Sequence, residues 1–584
     1  MRPHNKPRYG LVDKFLNLLE DLPGSDRFLV RMAFLAVIFT GIWLIFSLNQ
    51  QYSATTPTKG GSFTEGIVGT PRFVNPVLAS TKTDEDVAAL VYSGLMKINP
   101  EGELVNDIAS SIDISDDGLT YDIKLRKDVY FHDGTPLTAK DVVFTIHLIQ
   151  NPDLKSPLRG NWNDVTVEQA NDYELTITLT EAYSPFKENF RLGILPSHIW
   201  DKLSVSQLPF SQLNTEPIGS GPYKLAKVSR DDTGLIKSYT LAANPNSIDK
   251  PKIDSVTLSF FKNEDELLNA MKEGKVDNTA YLNKKDIGSI LRLNKKLIEE
   301  PLPRVFGIFF NQNRSVVLRD KGVREALAAA IDRQKLIKET LYGYGIPIGT
   351  PTVFSQPEIE STDDSASNST STQKTVSDIL TDNGWSLNDK GVWEKEIDGE
   401  NTELRITIKT RNTPLFDSML SIITKTWSDN GIIVTTEQFE QADLVQTVIR
   451  PRDFEALLFG LDMSRSYDLY PFWHSSQQDD PGLNIAQYAN VEVDKLLDSA
   501  RKEQSTTKRM ELLLEASRII AADKPAIFLF QPAMTYVISD NLKPTTMKRI
   551  GRQSDRFDNI ADWHAKTESL WGLFRKEQEE TVNN

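Results

Sequence analysis

The stretch Tyr121–Ile146, YDIKLRKDVYFHDGTPLTAKDVVFTI, encodes a strand, a turn and the start of a helix in direct succession. Tyr121, Ile123 and Leu125 alternate with polar and charged residues, and this period of two predicts a half-buried strand. None of these residue types is catalytic in such a pattern. The stretch therefore predicts secondary structure, and evidence for the function has to come from the rest of the chain.

The second half of the same stretch predicts a tight turn followed by a capped helix. His132–Pro136 (HDGTP) is rich in turn-forming residues, and Gly134 is free to adopt a positive φ angle. Thr138 and Asp141 have the spacing of a capping box, with Asp in place of the usual Glu. The apolar face of the expected helix is supplied by Val142, Val143, Phe144 and Ile146.

An apolar segment near the N-terminus predicts a membrane-spanning helix. Met32–Leu48 (MAFLAVIFTGIWLIFSL) is almost wholly apolar, and no charged residue occurs between Met32 and Thr58. Together with Phe28–Val30 the segment reaches roughly the 20 residues that span a bilayer. A cleaved signal peptide is the alternative, but the apolar run is long and no clear A-x-A site follows it. We expect residues 28–48 to be an uncleaved transmembrane helix.

The distribution of basic residues predicts the orientation of this helix. Residues 1–31 contain six Lys or Arg, and the next basic residue is Lys59. We therefore expect residues 1–27 to form a cytoplasmic arm and the main body to be extracytoplasmic. Residues 1–31 also carry four acidic side chains, so of the total charge of −15 the remainder carries −17. Such an acidic body repels phosphate backbones, which makes nucleic acid an unfavourable partner.

The length and composition indicate a folded protein of several parts. With 584 residues, the chain is too long for one compact core, and two or three lobes are expected. Residues 49–62 are rich in Gln, Ser, Thr, Pro and Gly and predict a tether. Cysteine is absent, which excludes disulfides, thiolate metal sites and a lipid-modified Cys anchor.

Catalytic motifs are missing from the sequence. No two of the six His residues have HExxH spacing, and no metal site is expected. Ile218–Tyr223 (IGSGPY) does not match the GxSxG nucleophile elbow, and its glycines are interpreted as turn residues. No GxxxxGK[ST] phosphate loop occurs, so ATP has to be hydrolysed by a partner if transport is involved. We expect neither an enzyme nor a bound cofactor.

Further segments predict secondary structure by their periodicity. A hairpin is expected at 165–167 and 174–179, and an exposed low-complexity loop at Ser355–Lys374. Helices are expected at 323–331, 418–427 and 508–521, strands at 404–409 and 526–530, and a surface helix in the tail from Thr567 to Asn584.

Several motifs occur in the order typical of one family. They are the signature stretch Tyr121–Ile146, Phe73–Pro76 (FVNP), Leu90–Leu95 (LVYSGL), Pro217–Tyr223 (PIGSGPY), Val323–Arg333 (VREALAAAIDR), Asn383–Trp385 (NGW) and Leu483–Ala500 (LNIAQYANVEVDKLLDSA). Each alone is a turn, a cap or a helix face. In this order the chain resembles the oligopeptide/dipeptide/nickel-binding class, family 5, of extracytoplasmic substrate-binding proteins of ABC transporters.

The resemblance implies an α/β fold, a bilobal clamp like that of periplasmic binding proteins, with an extra subdomain in the first lobe. The ligand would be enclosed between the lobes by hinge closure. The implied boundaries are 63–85, 215–303 and 526–565 for the first lobe, 86–214 for its inserted subdomain, 304–525 for the second lobe and 566–584 for a C-terminal tail.

The resemblance also implies a ligand site in which an extended peptide pairs with protein backbone. One backbone edge would be Ala79, Ser80, Thr81 and Lys82, and the facing edge would be Gly460, Leu461, Asp462, Met463 and Ser464. Trp473 and His474 would lie close to the second edge. For Trp473 the alternative is a core aromatic, and for His474 a structural histidine.

One departure concerns the group that holds the ligand's ammonium. Peptide-binding members place an Asp shortly after a Gly-Trp pair at this point. Here Leu461 replaces the Trp, and Ser464 or Arg465 falls where the Asp is expected. Because a buried ammonium without a counter-charge is costly, a blocked or larger peptide, or another solute, fits as well as a free peptide.

The resemblance implies a membrane-anchored protein that captures extracellular peptides and delivers them to ABC permease and ATPase subunits. A monomer is expected. The alternative keeps the fold and changes the role to a ligand sensor or scavenger.

Overall fold

The computed structural model describes residues 23–352, 374–545 and 548–571. The chain divides into two compact units, one of residues 1–59 with 564–584 and one of residues 60–563. Two expected segments lie outside the described residues. They are residues 1–22 of the expected cytoplasmic arm and residues 355–373 of the expected loop at 355–374.

The strands of the described residues are numbered in chain order. They are β1 Ser53–Thr58, β2 Ser62–Val68, β3 Met96–Ile98, β4 Leu104–Asn106, β5 Ala109–Ile114, β6 Thr120–Leu125, β7 Val165–Asn171, β8 Glu174–Leu179, β9 Tyr223–Arg230, β10 Ile236–Ala243, β11 Ser255–Phe261, β12 Lys295–Pro301, β13 Arg304–Phe310, β14 Gly345–Pro347, β15 Ser386–Leu387, β16 Trp393–Ile397, β17 Glu400–Glu403, β18 Arg405–Arg411, β19 Ile433–Phe439, β20 Ala456–Asp462, β21 Ala526–Ser539 and β22 Lys566–Trp571.

The helices vary from single turns to eight turns. The longer α-helices are Gly24–Tyr52, Lys82–Val91, Ala139–Gln150, Glu264–Lys272, Lys321–Ala329, Arg333–Leu341, Val376–Asp382, Pro414–Asp429, Val491–Lys502 and Thr506–Asp523. Short helical segments are Arg159–Trp162, Ser184–Arg191, Ser197–Trp200, Leu208–Phe210, Gln212–Asn214, Lys284–Asp286, Ile287–Leu291, Val317–Arg319, Gln441–Asp443, Leu444–Ile449, Tyr470–Trp473, Ser475–Gln477, Gln553–Phe557 and Ile560–Asp562.

The smaller unit combines the N-terminal helix with a two-stranded ribbon. Residues Gly24–Leu48 of the helix are long and apolar enough to cross a membrane. Strands β1 and β22 pair antiparallel, with Thr56 opposite Glu568. The sequence prediction was wrong for residues 53–58, which lie in the expected tether but form β1, and for residues 567–571, which were expected in a C-terminal helix but belong to β22. The rest of the expected helix, residues 572–584, lies outside the described residues. The pairing joins residues 512 positions apart, so local sequence patterns carry no trace of it.

The first half of the larger unit contains two four-stranded sheets. One has the order β2-β11-β10-β9, and the other has the order β5-β6-β8-β7. Tyr121, Ile123 and Leu125 of β6 are buried, and the alternating strand is confirmed. The hairpin of β7 and β8 is also confirmed. Side chains of these sheets share one hydrophobic cluster with helical and loop residues of the same half and with residues between 534 and 563.

The second half is built on a seven-stranded sheet with the path β12-β21-β13-β20-β18-β19, in which β14 also pairs with β21. Successive residues of β13 face opposite sides, so Ile308 joins one hydrophobic cluster and Phe309 the other. The predicted helices at 418–427 and 508–521 and the predicted strand at 526–530 fall within observed elements. The predicted helix at 323–331 overlaps the helix Lys321–Ala329 but runs two residues past its end, and the predicted strand at 404–409 begins one residue before Arg405–Arg411.

The cap predicted in the signature stretch is present. The Asp141 carboxylate accepts hydrogen bonds from the Thr138 backbone N–H at 2.8 Å and from its hydroxyl at 3.1 Å. Its other oxygen accepts from the Ser197 N–H at 2.8 Å. Gly134 has φ of +90°, as the turn requires. The helix Ala139–Gln150 is therefore fixed at its N-terminus to a distant part of the chain.

Candidate functional site

A cavity of about 470 Å³ lies within the larger unit. Its wall combines the helix Lys82–Val91 and the residues after it with residues just beyond β20. Among the lining residues are Ala79, Glu85, Ala89, Tyr92, Lys97, Asp107, Glu188, Arg191, Asp249, Asp462, Ser464, Arg465, Arg552 and Asp558. The volume falls in the range of about 300–1,000 Å³ that is usual for small-molecule sites.

The first predicted edge, Ala79–Lys82, leads into the helix that lines the cavity. Ala79 faces the cavity, whereas Ser80, Thr81 and Lys82 are exposed. The Thr81 side chain caps the helix by accepting from the Asp84 N–H at 3.1 Å. The Asp84 carboxylate in turn accepts from the Phe73 N–H at 2.9 Å, which fixes the preceding FVNP segment. The motif residues at this edge thus hold the backbone in place.

The second predicted edge, Gly460–Ser464, alternates between core and cavity. Leu461 and Met463 are buried in a hydrophobic cluster, whereas Asp462 and Ser464 line the cavity. Gly460 pairs with Phe306 within the sheet. Of the residues predicted at the two edges, the structure brings Ala79, Asp462 and Ser464 together at one cavity.

Trp473 and His474 are not among the residues that line this cavity. Trp473 is buried in the core, with its ring 5.7 Å from Phe528. The His474 ring stacks on Tyr470 at 4.1 Å, and its Nδ1 is 2.8 Å from the Ser476 hydroxyl. These placements favour the alternative interpretations, a core aromatic and a structural histidine.

The signature turn is hydrogen-bonded to the PIGSGPY segment through His132. The His132 Nδ1 accepts from the Gly219 N–H at 3.3 Å, and its Nε2 lies 3.1 Å from the Gly221 carbonyl oxygen. Both contacts are satisfied by a neutral ring that carries its proton on Nε2. Burial lowers the pKa of His132 to about 4, because a charged ring would lose its solvation here.

The same segment holds one wall of the cavity. The Gly221 N–H donates to the Val91 carbonyl oxygen at 2.8 Å. A Cβ atom on Gly219 would lie 2.1 Å from that oxygen, so only glycine permits this approach. Tyr92, which follows Val91, lines the cavity. The motif glycines therefore bring two backbones together, and they differ from the turn glycines that the sequence predicted.

Several charged residues of the cavity wall form ion pairs. The Arg191 guanidinium lies 2.6 Å from both the Asp555 and the Asp558 carboxylates. The Arg304 guanidinium pairs with Asp462 at 2.8 Å. The wall thus contains fixed charges of both signs, an environment suited to ligands that carry polar groups along their length.

Asp107 is buried at the same wall. Desolvation raises the pKa of its carboxyl to about 6, while the nearby cations Lys97 and Arg126 act in the opposite direction. Lys97 itself forms an ion pair with Asp249. Among the residues that the structure describes, no group of three metal-ligating side chains is placed to hold a metal ion.

The sequence prediction did not assign several lining residues to the site. Tyr92 belongs to the LVYSGL motif, so the motif itself was a usable signal. Glu188 and Arg191 lie in the short helix Ser184–Arg191, where no local pattern separates them from ordinary surface charges. Arg465 was noted in the sequence only as the residue at an expected Asp position.

Comparisons with known proteins agree with this architecture. Residues 103–481 match the family model described as bacterial extracellular solute-binding proteins, family 5, middle. The oligopeptide-binding protein AppA of Bacillus subtilis is 29% identical over 511 residues, which cover 85% of this chain and 90% of that protein.

Two solved structures are similar over most of the chain. The structure of Bacillus subtilis AppA in complex with a nonapeptide matches with a TM-score of 0.62 and 26% identity, covering 87% of this chain and 99% of that one. The structure of Campylobacter jejuni NikZ in complex with Ni(L-His) matches with a TM-score of 0.63 and 26% identity, covering 86% and 99%. The expected α/β fold of periplasmic binding proteins is confirmed.

Proposed function

Since the chain belongs to the bacterial extracellular solute-binding proteins of family 5, we propose that it captures peptides in the cavity and delivers them to an ABC importer. The observation that carries the proposal is the cavity itself, which is lined by Tyr92 and Arg191 on one side and Asp462 and Ser464 on the other. A ligand there touches both sides at once, and this is the condition for ligand binding to favour closure.

The lobe boundaries are part of the proposal. We assign 63–85, 215–303 and 526–565 to the first lobe, 86–214 to its inserted subdomain and 304–525 to the second lobe. The division is supported by the hydrophobic clusters. One cluster draws on residues 63–258 and 534–563, and the two clusters of the seven-stranded sheet draw on residues 305–530. The clusters therefore support the division except at residues 526–530, which pack with the second lobe although the proposed boundary assigns them to the first.

The site residues of the proposal are those that face the cavity. Ala79 contributes from the first edge, and Asp462 and Ser464 contribute from the second. Backbone groups around them would pair with an extended peptide, and its side chains would enter the surrounding space. The protein has no catalytic role in this proposal. The permease and the ATPase supply the transport and the ATP hydrolysis.

The helix Gly24–Leu48 is proposed to be an uncleaved anchor, with the N-terminus in the cytoplasm and the larger unit outside the cell. An anchored binding protein stays at the membrane in which its permease lies. This helix takes the place of a lipid-modified Cys, since the chain contains no cysteine.

Mass spectrometry of the ligands released on denaturing the purified full chain tests the proposal. A mixed set of short peptides is the expected result. Ala89→Trp places a large ring at the cavity wall and should reduce the released amount, whereas Ala522→Trp, at an exposed helix position, should not. A single non-peptide solute or a metal chelate would overturn the peptide assignment and would favour the sensor or scavenger role.

A further inference from the structure

Arg465 reaches from the second proposed lobe across to the inserted subdomain. Its Nε lies 3.3 Å from the Glu188 carboxylate, and its Nη2 donates to the Gly102 carbonyl oxygen at 2.8 Å. The Arg465 side chain is only 6% exposed. A guanidinium that is buried at an ion pair and a carbonyl contributes more than a surface pair, because water and salt screen it less.

Two further arginines of the second lobe contact the same part of the inserted subdomain. The Arg509 Nη1 donates to the Ser184 hydroxyl at 2.8 Å. The Arg501 guanidinium lies 5.1 Å from the centre of the Tyr183 ring, a cation–π distance. Arg501 is held in place by the Asp468 carboxylate at 2.8 Å. All three arginines therefore contact residues 183–188, and Arg465 also contacts Gly102.

These contacts do not involve a ligand. Arg501 and Arg509 are absent from the cavity lining, whereas Arg465 lines the cavity. Its Nε and Nη2 contact protein, and its buried Nη1 has no hydrogen-bond partner among the residues that the structure describes. Hinge opening would move the two proposed lobes apart and break all of the contacts together. Part of the free energy of closure would then come from the protein itself, whatever the ligand.

We propose that Arg465, Arg501 and Arg509 form a latch that holds residues 183–188 and closes the cavity. In this latch, Arg465 positions the inserted subdomain through its contacts with Glu188 and Gly102. The latch favours the closed state for ligands of varied chemistry, since closure needs no single group on the ligand. The inference deepens the proposed function and rests on it for the ligand, but the latch can be measured without any ligand.

Because the chain contains no cysteine, two introduced cysteines can be labelled specifically to measure closure. Cysteines introduced at the exposed positions Asp153 and Glu515 would carry a fluorescence donor and acceptor on the two sides of the cavity. The distance between the dyes in the ligand-free full chain reports closure. Arg465→Met should increase the open population several-fold, and Glu188→Gln should shift it in the same direction by less.

Arg405→Met is the matched control, because Arg405 pairs with Glu403 within the second lobe and on the surface. It should leave the dye distances of the parent protein unchanged. The inference is overturned if Arg465→Met and Glu188→Gln both give the same distances as Arg405→Met. Glu188→Gln keeps the experiment decisive should Arg465→Met fail to fold.

Association and dissociation rates, measured with a pool of synthetic tetrapeptides of mixed sequence, distinguish an effect on the latch from an effect on direct ligand contacts. A latch slows opening, so Arg509→Met, which lies outside the cavity, should raise the dissociation rate several-fold with little change in the association rate. An unchanged dissociation rate would contradict the latch. If the parent protein binds none of the pool while the dye distances respond to Arg465→Met, the peptide function fails and the latch stands.

Discussion

Lowering the pH from 7 to 5 should destabilise the protein through His132. The folded ring is neutral and its pKa is lowered to about 4 by burial, whereas the ordinary value is about 6.5. The unfolded chain therefore binds the proton more readily. This contribution to stability is fully present above about pH 6.5 and is lost as the pH falls toward about 4. The linkage relation gives a loss of about 2 kcal/mol between pH 7 and pH 5.

Urea unfolding of the full chain in detergent, followed by tryptophan fluorescence at both pH values, measures this loss. His132→Asn should be less stable than wild type at pH 7, because the ring no longer joins the signature turn to Gly219 and Gly221. Between pH 7 and pH 5, the unfolding free energy of His132→Asn should therefore fall by about 2 kcal/mol less than the unfolding free energy of wild type does. Other titrating groups cancel in this difference.

The exposed His147 provides the control, since its ring makes no hydrogen bond to the Gly219–Gly221 segment. His147→Asn should keep the pH dependence of wild type. If wild type and His132→Asn lose the same unfolding free energy between pH 7 and pH 5, the ring is not held neutral and the reasoning fails.

Three further outcomes are expected. Arg556→Met should destabilise the fold by about 3–5 kcal/mol in urea unfolding, because the buried Glu65 and Asp86 carboxylates, 3.0 and 2.7 Å from its guanidinium, would lose their counter-charge. Gly219→Ala should cost about 1–3 kcal/mol through the contact with the Val91 oxygen. The full chain should stay in the membrane fraction after an alkaline wash, and its intact mass should include residues 24–48.

Each of these three predictions has a control variant or an outcome that would contradict it. A loss below about 1 kcal/mol for Arg556→Met would show that the two carboxylates are neutral or solvated in the fold. Gly160→Ala, at a position with open space around the added methyl, should change stability by no more than about 0.5 kcal/mol. Detection of a mature chain that lacks the apolar segment would replace the anchor with a signal peptide.

The sequence was sufficient where the signal is local or ordered along the chain. The alternation of Tyr121, Ile123 and Leu125 identified a strand, and the Thr138–Asp141 spacing identified a cap. Both depend on neighbours within a few residues. The order of the motifs then identified the family, although each motif alone is an ordinary turn or helix face.

The sequence failed where the determining partner is remote. Strand β22 looked like a helical tail because its partner β1 is hundreds of residues away. The contact between Arg465 and Glu188 is equally non-local, and neither residue has a distinctive pattern around it. For Trp473 and His474, which family position predicted near the site, the placement of Trp473 in the core and of His474 against Tyr470 favours the alternatives of a core aromatic and a structural histidine. Residue type alone does not separate a ligand wall from a core.

At the end of β20, neighbouring residues alternate between packing in the core and lining the cavity. Leu461 and Met463 are constrained by packing, whereas Asp462 and Ser464 face an open volume. Substitutions at the two outward positions need not disturb the core, and surface changes of this kind usually alter stability by about 0.5 kcal/mol or less. Under the proposed function, the ligand preference of the cavity would therefore change through substitutions at these two positions while the fold is kept.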